Sequence, residues 1–358
     1  MDRIEWVGER CRLLRAIGDE LERTQPFAGL TIGTGIHLEP KTVALILTLR
    51  RGGAALVSTG NLNTTQQEAC DYLADRGVHV VGGPTSDPSE HDRHLWEVVR
   101  TQPDLLLDNG GDLFVRYLEE PWDRLRGGTE ETTSGRMRLE PLRDRLRGLA
   151  ILVINDSPIK QFVENEHAVG QSALESFMRI TNLSTNGKRV TVFGYGACGK
   201  GVAANFRNAH AIVSVVEVDP VKRLQALFDG FLVPEREEAL RTADVVITVT
   251  GARGVVTAAD APLLKPGAVL ANAGHFPWEI EAGPLTAAGA TVLESGHMFN
   301  LAGPRPLGNS IESMDIGFAL QTRCLEAVAT GAVGAESCVV PVPRAIDEQV
   351  AAQFVQTT

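Results

Sequence analysis

The sequence predicts an α/β protein built as two doubly wound parallel-sheet domains. Two observations carry this reading. Short apolar runs alternate with helically spaced segments along most of the chain, the pattern of strands joined by crossover helices. The alternation then begins afresh near residue 188, after a long polar and helical interval, which calls for a second sheet. The length of 358 residues is generous for one domain and comfortable for two.

The elements follow in order. Residues 5–23 carry helical spacing. Residues 29–35 read as a strand and turn, 40–51 as a helix, 54–58 as a strand, 65–76 as a helix and 78–81 as a strand. A helix is expected over 92–101, and buried strands over 104–107 and 150–154. The segment 122–147 is polar and rich in Gly and Arg, a loop followed by a helix. Residues 165–185 read as one long amphipathic helix. The second series has a strand at 188–193, a helix at 199–209, a strand at 212–218 and short apolar runs at 245–250, 268–271 and 291–293. A helix over 313–330 and a helical tail close the chain. The expected layout is one domain from 1–164 and 313–358, with a second, 165–312, inserted into it.

Composition narrows the function classes. Lys plus Arg is 34 and Asp plus Glu is 45, a net charge of -11, which disfavours nonspecific nucleic acid or anionic membrane as partners. The basic run over 136–147 is interrupted by acids and reads as a solvated helix face. No apolar stretch approaches the roughly 20 residues of a membrane span. The opening MDRIEWVGERC is acidic with no apolar run, so no signal peptide is expected and the location expected is cytoplasmic. The five cysteines, Cys11, Cys70, Cys198, Cys324 and Cys338, include no CxxC and no zinc spacing, so neither disulfides nor a metal site is expected.

One stretch carries chemistry by itself. TVFGYGACGKG, residues 191–201, follows a strand and opens a helix, the context that makes a GxGxxG pattern a Rossmann-like dinucleotide turn. Gly194 permits the tight turn, Gly196 lets the backbone approach a pyrophosphate, and Gly199 lets helix and strand pack closely. Ala197 and Cys198 lie in the turn beside the helix N-terminus, whose free N–H groups and positive end attract phosphate. Cys198 reads as packing. The next strand ends in VVEVDP, where Glu217 stands 18 residues after Gly199, near the spacing for an acid on the ribose diol; Asp219 competes for that role. A carboxylate there favours NAD over its 2′-phosphorylated form. Thr250 and Gly251, after a later strand, suit the far side of the cofactor.

Eight stretches then occur in one order: GIHLEP, LLLDNGGDLF, GGTEETTSG, VINDSPIKQFVENEHAVGQS, GYGACGKG, VVEVDP, TVTGARGV and ANAGHFPWEIE. This series, over roughly residues 25–350, resembles the S-adenosylhomocysteine hydrolase family. The resemblance implies two Rossmann-like domains and a bound NAD that oxidises a nucleoside 3′-hydroxyl. The ketone then acidifies the C4′ proton, the C5′ substituent is expelled, water adds, and the hydride returns. The cofactor supplies the hard step and the protein positions and polarises. It implies Lys160 beside the 3′-hydroxyl, Glu131 on the ribose hydroxyls, His37 at C5′ and His275 between cofactor and substrate. Asn61 and Thr65 are implied in substrate binding. Thr132, Thr133, Asn165, Asn272 and Asn300 are implied on the cofactor side.

The chain departs from the family pattern at the substrate end. A family Asp-Asp-Gly-Gly-Asp is here Asp108-Asn109-Gly110-Gly111-Asp112, and an amide cannot exchange protons near neutral pH. An aspartate after the lysine is here Glu164. The base-side His-x-Thr-x-Glu is His37-Leu38-Glu39-Pro40-Lys41. If Lys41 meets the base, a 6-oxo group is favoured; Glu39 as acceptor keeps adenine open; a surface Glu39–Lys41 pair touches neither. A late histidine is replaced by Asn309. The sequence ends at QFVQTT, without the family's C-terminal extension onto a neighbouring protomer's cofactor.

The expectation is a redox-neutral, NAD-dependent nucleoside dehydratase or lyase of natural-product biosynthesis, in a homo-oligomer. The alternatives are a hydrolase of S-adenosylhomocysteine or S-inosylhomocysteine, a nucleoside epimerase, a plain dehydrogenase, or a nucleoside-binding protein without turnover.

Overall fold

Leu105–Asp108 (LLLD) and Ala150–Val153 (AILV) are apolar without alternation, and every residue of both is buried. A strand covered on both faces reads this way, as inside a parallel sheet. The computed structural model, which describes residues 2–357, places both in such a sheet. In chain order the strands are β1 (Thr31–Gly35), β2 (Ala55–Thr59), β3 (His79–Val80), β4 (Leu105–Asp108), β5 (Gly127–Glu130), β6 (Ala150–Val153), β7 (Arg189–Phe193), β8 (Ile212–Val216), β9 (Val245–Thr248), β10 (Val269–Asn272), β11 (Thr291–Val292) and β12 (Val340–Pro341). One sheet has the order β12-β6-β5-β4-β1-β2-β3 and the other β11-β10-β9-β7-β8. All their pairings are parallel. The chain divides into two units, one of residues up to Lys160 together with those from Ile311 onward, the other Gln161–Ser310.

In the seven-stranded unit the strand order reverses between β1 and β4. The chain winds outward through β2 and β3 on one side and through β5 and β6 on the other. Ligands of such sheets bind outside the carboxyl ends of the strands at that reversal. The register levels Gly35 with Thr59 and Asp108, and Asp108 with Glu130. Residues that follow the four strands, His37, Asn61, Asn109 and Glu131, therefore leave the sheet at one edge.

Strand β5 lies where the sequence reads a loop. Its GGTE carries no apolar run, yet all four residues are buried. Gly127 and Gly128 have φ of 139° and 157°. A methyl on Gly127 would lie 1.9 Å from the Ala150 carbonyl oxygen, and one on Gly128 1.8 Å from that of Leu106. The strand is built for close backbone approach, which leaves no hydrophobic signature.

The first expected helix is two, Arg3–Arg10 and Arg12–Thr24, separated at Cys11. The second has no local side-chain cap. Its Leu13 and Leu14 amides donate instead to the Asp315 carboxylate at 2.8 Å, from the Ile311–Thr330 helix. The helices Asp112–Glu119, Pro220–Phe228 and Arg236–Thr242 escape the sequence reading altogether.

The helix expected over 165–185 also differs. Lys160–Ala168 is wound wide, as a π-helix, and an α-helix follows over Val169–Thr181. Asn182, with a left-handed φ of 52°, ends it. Gly201, in the Ala197–Asn208 helix, presses against this segment: a methyl there would lie 1.7 Å from the Glu166 carbonyl oxygen. In the five-stranded unit Val190, Val192, Val213, Val215 and Ile247 line a core with Phe177 and Phe206, whose rings meet edge to face at 5.6 Å. No helix among the described residues is long and apolar enough to cross a membrane.

Candidate functional site

Each unit presents its own set of groups. At the carboxyl edge of the seven-stranded sheet, Glu131 follows β5 and its carboxylate is the centre of a small buried network. Lys160 Nζ donates to Glu131 Oε1 at 3.4 Å, and Asn109 Nδ2 donates to Oε2 at 2.8 Å. Asn61 Nδ2 donates in turn to Asn109 Oδ1 at 3.0 Å. Glu131, Asn109 and Lys160 are all buried. Burial by itself pushes the Glu131 carboxyl up, but the Lys160 charge, the Asn109 amide and the His37 charge outweigh it and hold the group below its ordinary range.

His37 follows β1. Its Nδ1 is 2.6 Å from Thr64 Oγ1, and Thr42 Oγ1 donates to its carbonyl at 2.6 Å. Thr65 Oγ1 donates to the Asn61 carbonyl at 2.8 Å and so shapes the turn that carries Asn61. Shortly beyond His37, Lys41 Nζ meets Glu39 Oε2 at 2.8 Å. The pair is buried, at 5% and 8% exposure, which corrects the reading of a surface pair. Burial matters because an ion pair away from water needs further polar partners to be sustained.

Beneath this network lie two carboxylates that the sequence reading passed over. Asp108 accepts the amides of Asn109, Asp112, Leu113 and Phe114 at 2.9–3.1 Å. Glu130 accepts those of Gly110, Gly111 and Thr132, and the Thr132 hydroxyl, at 2.8–3.1 Å. Burial, reinforced by Asp112, pushes Asp108 up to about 7; Glu130 is raised by burial and by Asp108. The paired glutamates at a strand end were the available signal: side-chain alternation sends Glu130 and Glu131 to opposite sides.

Thr132 and Thr133 belong to this unit too. Thr132 caps the Thr133–Leu139 helix through the Gly135 amide at 2.9 Å. Thr133 is exposed, and its hydroxyl donates to Asn155 at 2.8 Å.

In the five-stranded unit the order reverses between β7 and β9. Gly194, with φ of 100°, turns the chain out of β7, and a methyl on it would lie 2.8 Å from the Val249 carbonyl oxygen. A methyl on Gly199 would lie 2.0 Å from the Gly194 oxygen, whereas one on Gly196 would meet nothing within 4 Å. The turn is tight where it packs and open where a ligand would approach. Ala197 and Cys198 start the Ala197–Asn208 helix, and Cys198 is half-buried. Glu217, at the end of β8, accepts the Tyr195 amide at 2.7 Å and so lies against the turn. Asp219 instead caps the Pro220–Phe228 helix through the Val221 amide at 2.8 Å.

Other polar groups flank this crevice. Buried Glu279 accepts both donors of Thr250, at 2.9 and 2.8 Å, and the Gly251 amide at 2.7 Å, which fixes that turn. Asn272 lies beside it and is fully buried. It donates to the carbonyls of Phe276 and Gly296 and accepts from Thr248 and Gly274. These four bonds fix its side chain in the turn after β10. Asn300 Nδ2 donates to Ser172 at 3.0 Å, and Ser172 donates to Asn309 at 3.2 Å. Asn300 Oδ1 is buried and has no hydrogen-bond partner among the described residues, an acceptor that suits a carboxamide. The His275 ring stands edge-on to Phe276, Phe276 stacks on Trp278 at 4.2 Å, and Arg253 covers Trp278. Glu164 is buried and Asn165 half-buried on the wide-wound segment. The glycine turn, the helix start, Glu217 and the unpartnered Asn300 acceptor together fit a nicotinamide dinucleotide.

Comparison with known proteins agrees. Residues 3–120 match the S-adenosyl-L-homocysteine hydrolase family, and residues 165–297 match that family's NAD binding domain. An S-inosyl-L-homocysteine hydrolase from Methanopyrus kandleri is 37% identical over 376 residues, covering 98% of this chain and 88% of its own. An adenosylhomocysteinase from Thermotoga maritima is 41% identical over 345 residues, covering 89% and 85%. Among solved structures, a dipicolinate synthase chain from Bacillus halodurans shares the fold at 15% identity, with a TM-score of 0.57 over 85% of this chain and 99% of that one. The protein is thus an NAD-dependent enzyme belonging to the S-adenosyl-L-homocysteine hydrolase family.

Proposed function

We propose that the enzyme is a redox-neutral lyase that removes water from a nucleoside across C4′ and C5′. NAD, held by the glycine turn at Gly194, Gly196 and Gly199 with Glu217, would supply a reversible hydride acceptor for C3′. Glu131 holds the ribose hydroxyls, and Lys160 takes the 3′-hydroxyl proton and returns it. With a ketone at C3′, the C4′ proton becomes acidic enough to be transferred, and it departs with the C5′ hydroxyl as water. His37, its ring fixed by Thr64, protonates the departing C5′ oxygen. The C4′–H and C5′–O bonds break, an exocyclic alkene forms, and the ketone is reduced again.

The observation that carries this reading is the amide of Asn109. It is tied at both ends, to Glu131 and to Asn61. An amide at this position cannot pass a proton at neutral pH, so proton transfer at C5′ falls to His37 alone. Loss and addition of water are the reverse of one another, so the cycle ends at the alkene where the re-reduced product is released before water adds back. In this reading the seven-stranded unit holds the nucleoside.

A second reading is hydrolysis of a homocysteine thioether of inosine or adenosine. It is favoured by the names of the 37% and 41% identical relatives and by the buried Glu39–Lys41 pair. A lysine donor beside a carboxylate acceptor complements the O6 and N1–H of a 6-oxopurine. The deciding experiment incubates the NAD-loaded enzyme with a nucleoside panel and with both thioethers, and follows products by mass spectrometry and free thiol by a colorimetric assay. Loss of water from one nucleoside supports the lyase. Thiol release from either thioether, without dehydration of any nucleoside, overturns it in favour of the hydrolase.

A further inference from the structure

Ser157 and Asp347 are both buried and meet at 2.5 Å, although 190 residues separate them. The sheet brings them together. Strand β12 pairs with β6 in parallel, with Pro341 level with Val153. The chain therefore leaves both strands at the same edge. From β6 it runs through Asn155 and Ser157 to Lys160; from β12 it enters the Arg344–Thr357 helix, where Asp347 stands in the first turn. The Ser157 hydroxyl is fully used. Its oxygen accepts the Ile159 amide at 3.1 Å and the Lys160 amide at 3.3 Å, and its proton goes to Asp347 Oδ1. One proton and two lone pairs are all that a hydroxyl has. Pro158 opens the helical segment that carries Lys160 and has no N–H to place, so the Ile159 and Lys160 amides are the first donors that need a cap. Asp347 makes no ion pair among the described residues; Arg344, in the same turn, pairs with Glu348 at 2.8 Å. A carboxylate out of water and without a cation is costly unless it receives hydrogen bonds, and Ser157 supplies one.

We propose that Asp347 is a positioning residue for the reaction, acting on Lys160 through Ser157. By taking the Ser157 proton it turns both lone pairs of that hydroxyl onto the Ile159 and Lys160 amides. That fixes the first turn of the segment, and with it the place where Lys160 Nζ stands beside Glu131. The inference rests on the role proposed above for Lys160 in moving the 3′-hydroxyl proton. Lys160 Nζ reaches Glu131 Oε1 at 3.4 Å, a long hydrogen bond that does little to hold the side chain by itself. Its position is therefore set from the backbone. A displacement of about 1 Å at a reacting group can cost about 10²-fold in rate. The last helix of the chain thus reaches the site through one carboxylate.

Single-turnover reduction of NAD in the full-length, NAD-loaded enzyme tests this, with adenosine and inosine as the probes. Asp347→Ala and Ser157→Ala are each expected to slow hydride transfer about 10–100-fold. The nucleoside concentration for half-maximal reduction should move less than about three-fold, since Glu131 still holds the sugar. The double variant should be no slower than Ser157→Ala, because both changes act on one contact. Asp347→Asn keeps an acceptor in the same place and should be at least about five-fold faster than Asp347→Ala. In a Lys160→Ala background, Asp347→Ala should cost less than about two-fold more, whereas general damage to the fold slows every background alike. Three results overturn the positioning role and leave that of Lys160 standing. One is an Asp347→Ala rate within about two-fold of the unaltered enzyme. The second is an Asp347→Asn as slow as Asp347→Ala. The third is an Asp347→Ala penalty that is the same with and without Lys160. Full hydride transfer in Lys160→Ala alone, or none from either nucleoside in the unaltered enzyme, overturns the reading of the site itself and this inference with it.

Discussion

Lys160 and Glu131, both more than nine-tenths buried, meet at 3.4 Å, and the Glu131 carboxylate is shared with Asn109 at 2.8 Å. A buried carboxylate held by one cation and one amide is a poor place for a purely structural salt bridge, because apolar packing would serve stability as well or better. It is a good place to hold sugar hydroxyls and move one proton.

Lys160→Ala is therefore expected to keep NAD and to lose hydride transfer by about 10²–10⁴-fold. Stopped-flow absorbance of reduced cofactor after mixing with substrate reads this directly. The same variant leaves Glu131 without its cation, at a cost of about 3–5 kcal/mol in unfolding free energy. Turnover within a factor of two of the unaltered enzyme would remove Lys160 from the reaction.

Asn109→Asp places a second carboxylate against Glu131. Two like charges at that distance raise one pKa and destabilise the fold at neutral pH. If Asn109 favours release of the alkene over its rehydration, the variant should add water back faster, seen as more oxygen-18 from labelled water entering the nucleoside at C5′. A product profile identical to that of the unaltered enzyme would show that Asn109 does not control the outcome.

The pH profile of stability should carry the mark of Asp108. Its folded-state pKa, pushed up by burial to about 7, exceeds the ordinary 3.8, so the folded chain holds this proton more tightly than the unfolded one. The stability it contributes is complete below pH 3.8 and is lost as the pH rises through about 7. Urea midpoints measured from pH 4 to 8 should show this fall, and Asp108→Asn should flatten it. Glu131, held low, works in the opposite sense: its contribution is present above the ordinary glutamate pKa and is lost on acidification. An unchanged slope in Asp108→Asn would assign the alkaline loss to other groups.

The glycine turn offers a paired test. Gly196→Ala adds a methyl to open space at an ordinary φ of -74°, so the melting temperature without cofactor should hold while NAD affinity falls at least about ten-fold. Gly199→Ala drives a methyl to 2.0 Å from the Gly194 oxygen and should cost about 1–3 kcal/mol even without cofactor. Calorimetry of NAD binding and thermal melts separate the two. Equal behaviour of both variants would contradict the assignment of Gly196 to the ligand side.

By itself the sequence determined the α/β class, the two parallel sheets, the dinucleotide turn and the family. Each rests on local signals: unbroken apolar runs for β4 and β6, glycines at fixed spacing after β7, and motifs in one order. Tertiary structure alone decided the rest. Strand β5 exists because Gly127 and Gly128 let neighbouring backbones close in, and absent side chains leave no periodicity to read. The helix from Arg12 is capped by Asp315, some 300 residues away. Asn272 is held by four protein groups that come together only in the folded unit. Glu39 and Lys41 are a buried pair because the fold covers them, which two nearby charges in a sequence cannot announce. Spacing along a chain records what neighbours in sequence do for one another; who meets across the sheet edge is fixed only when the strands take their order.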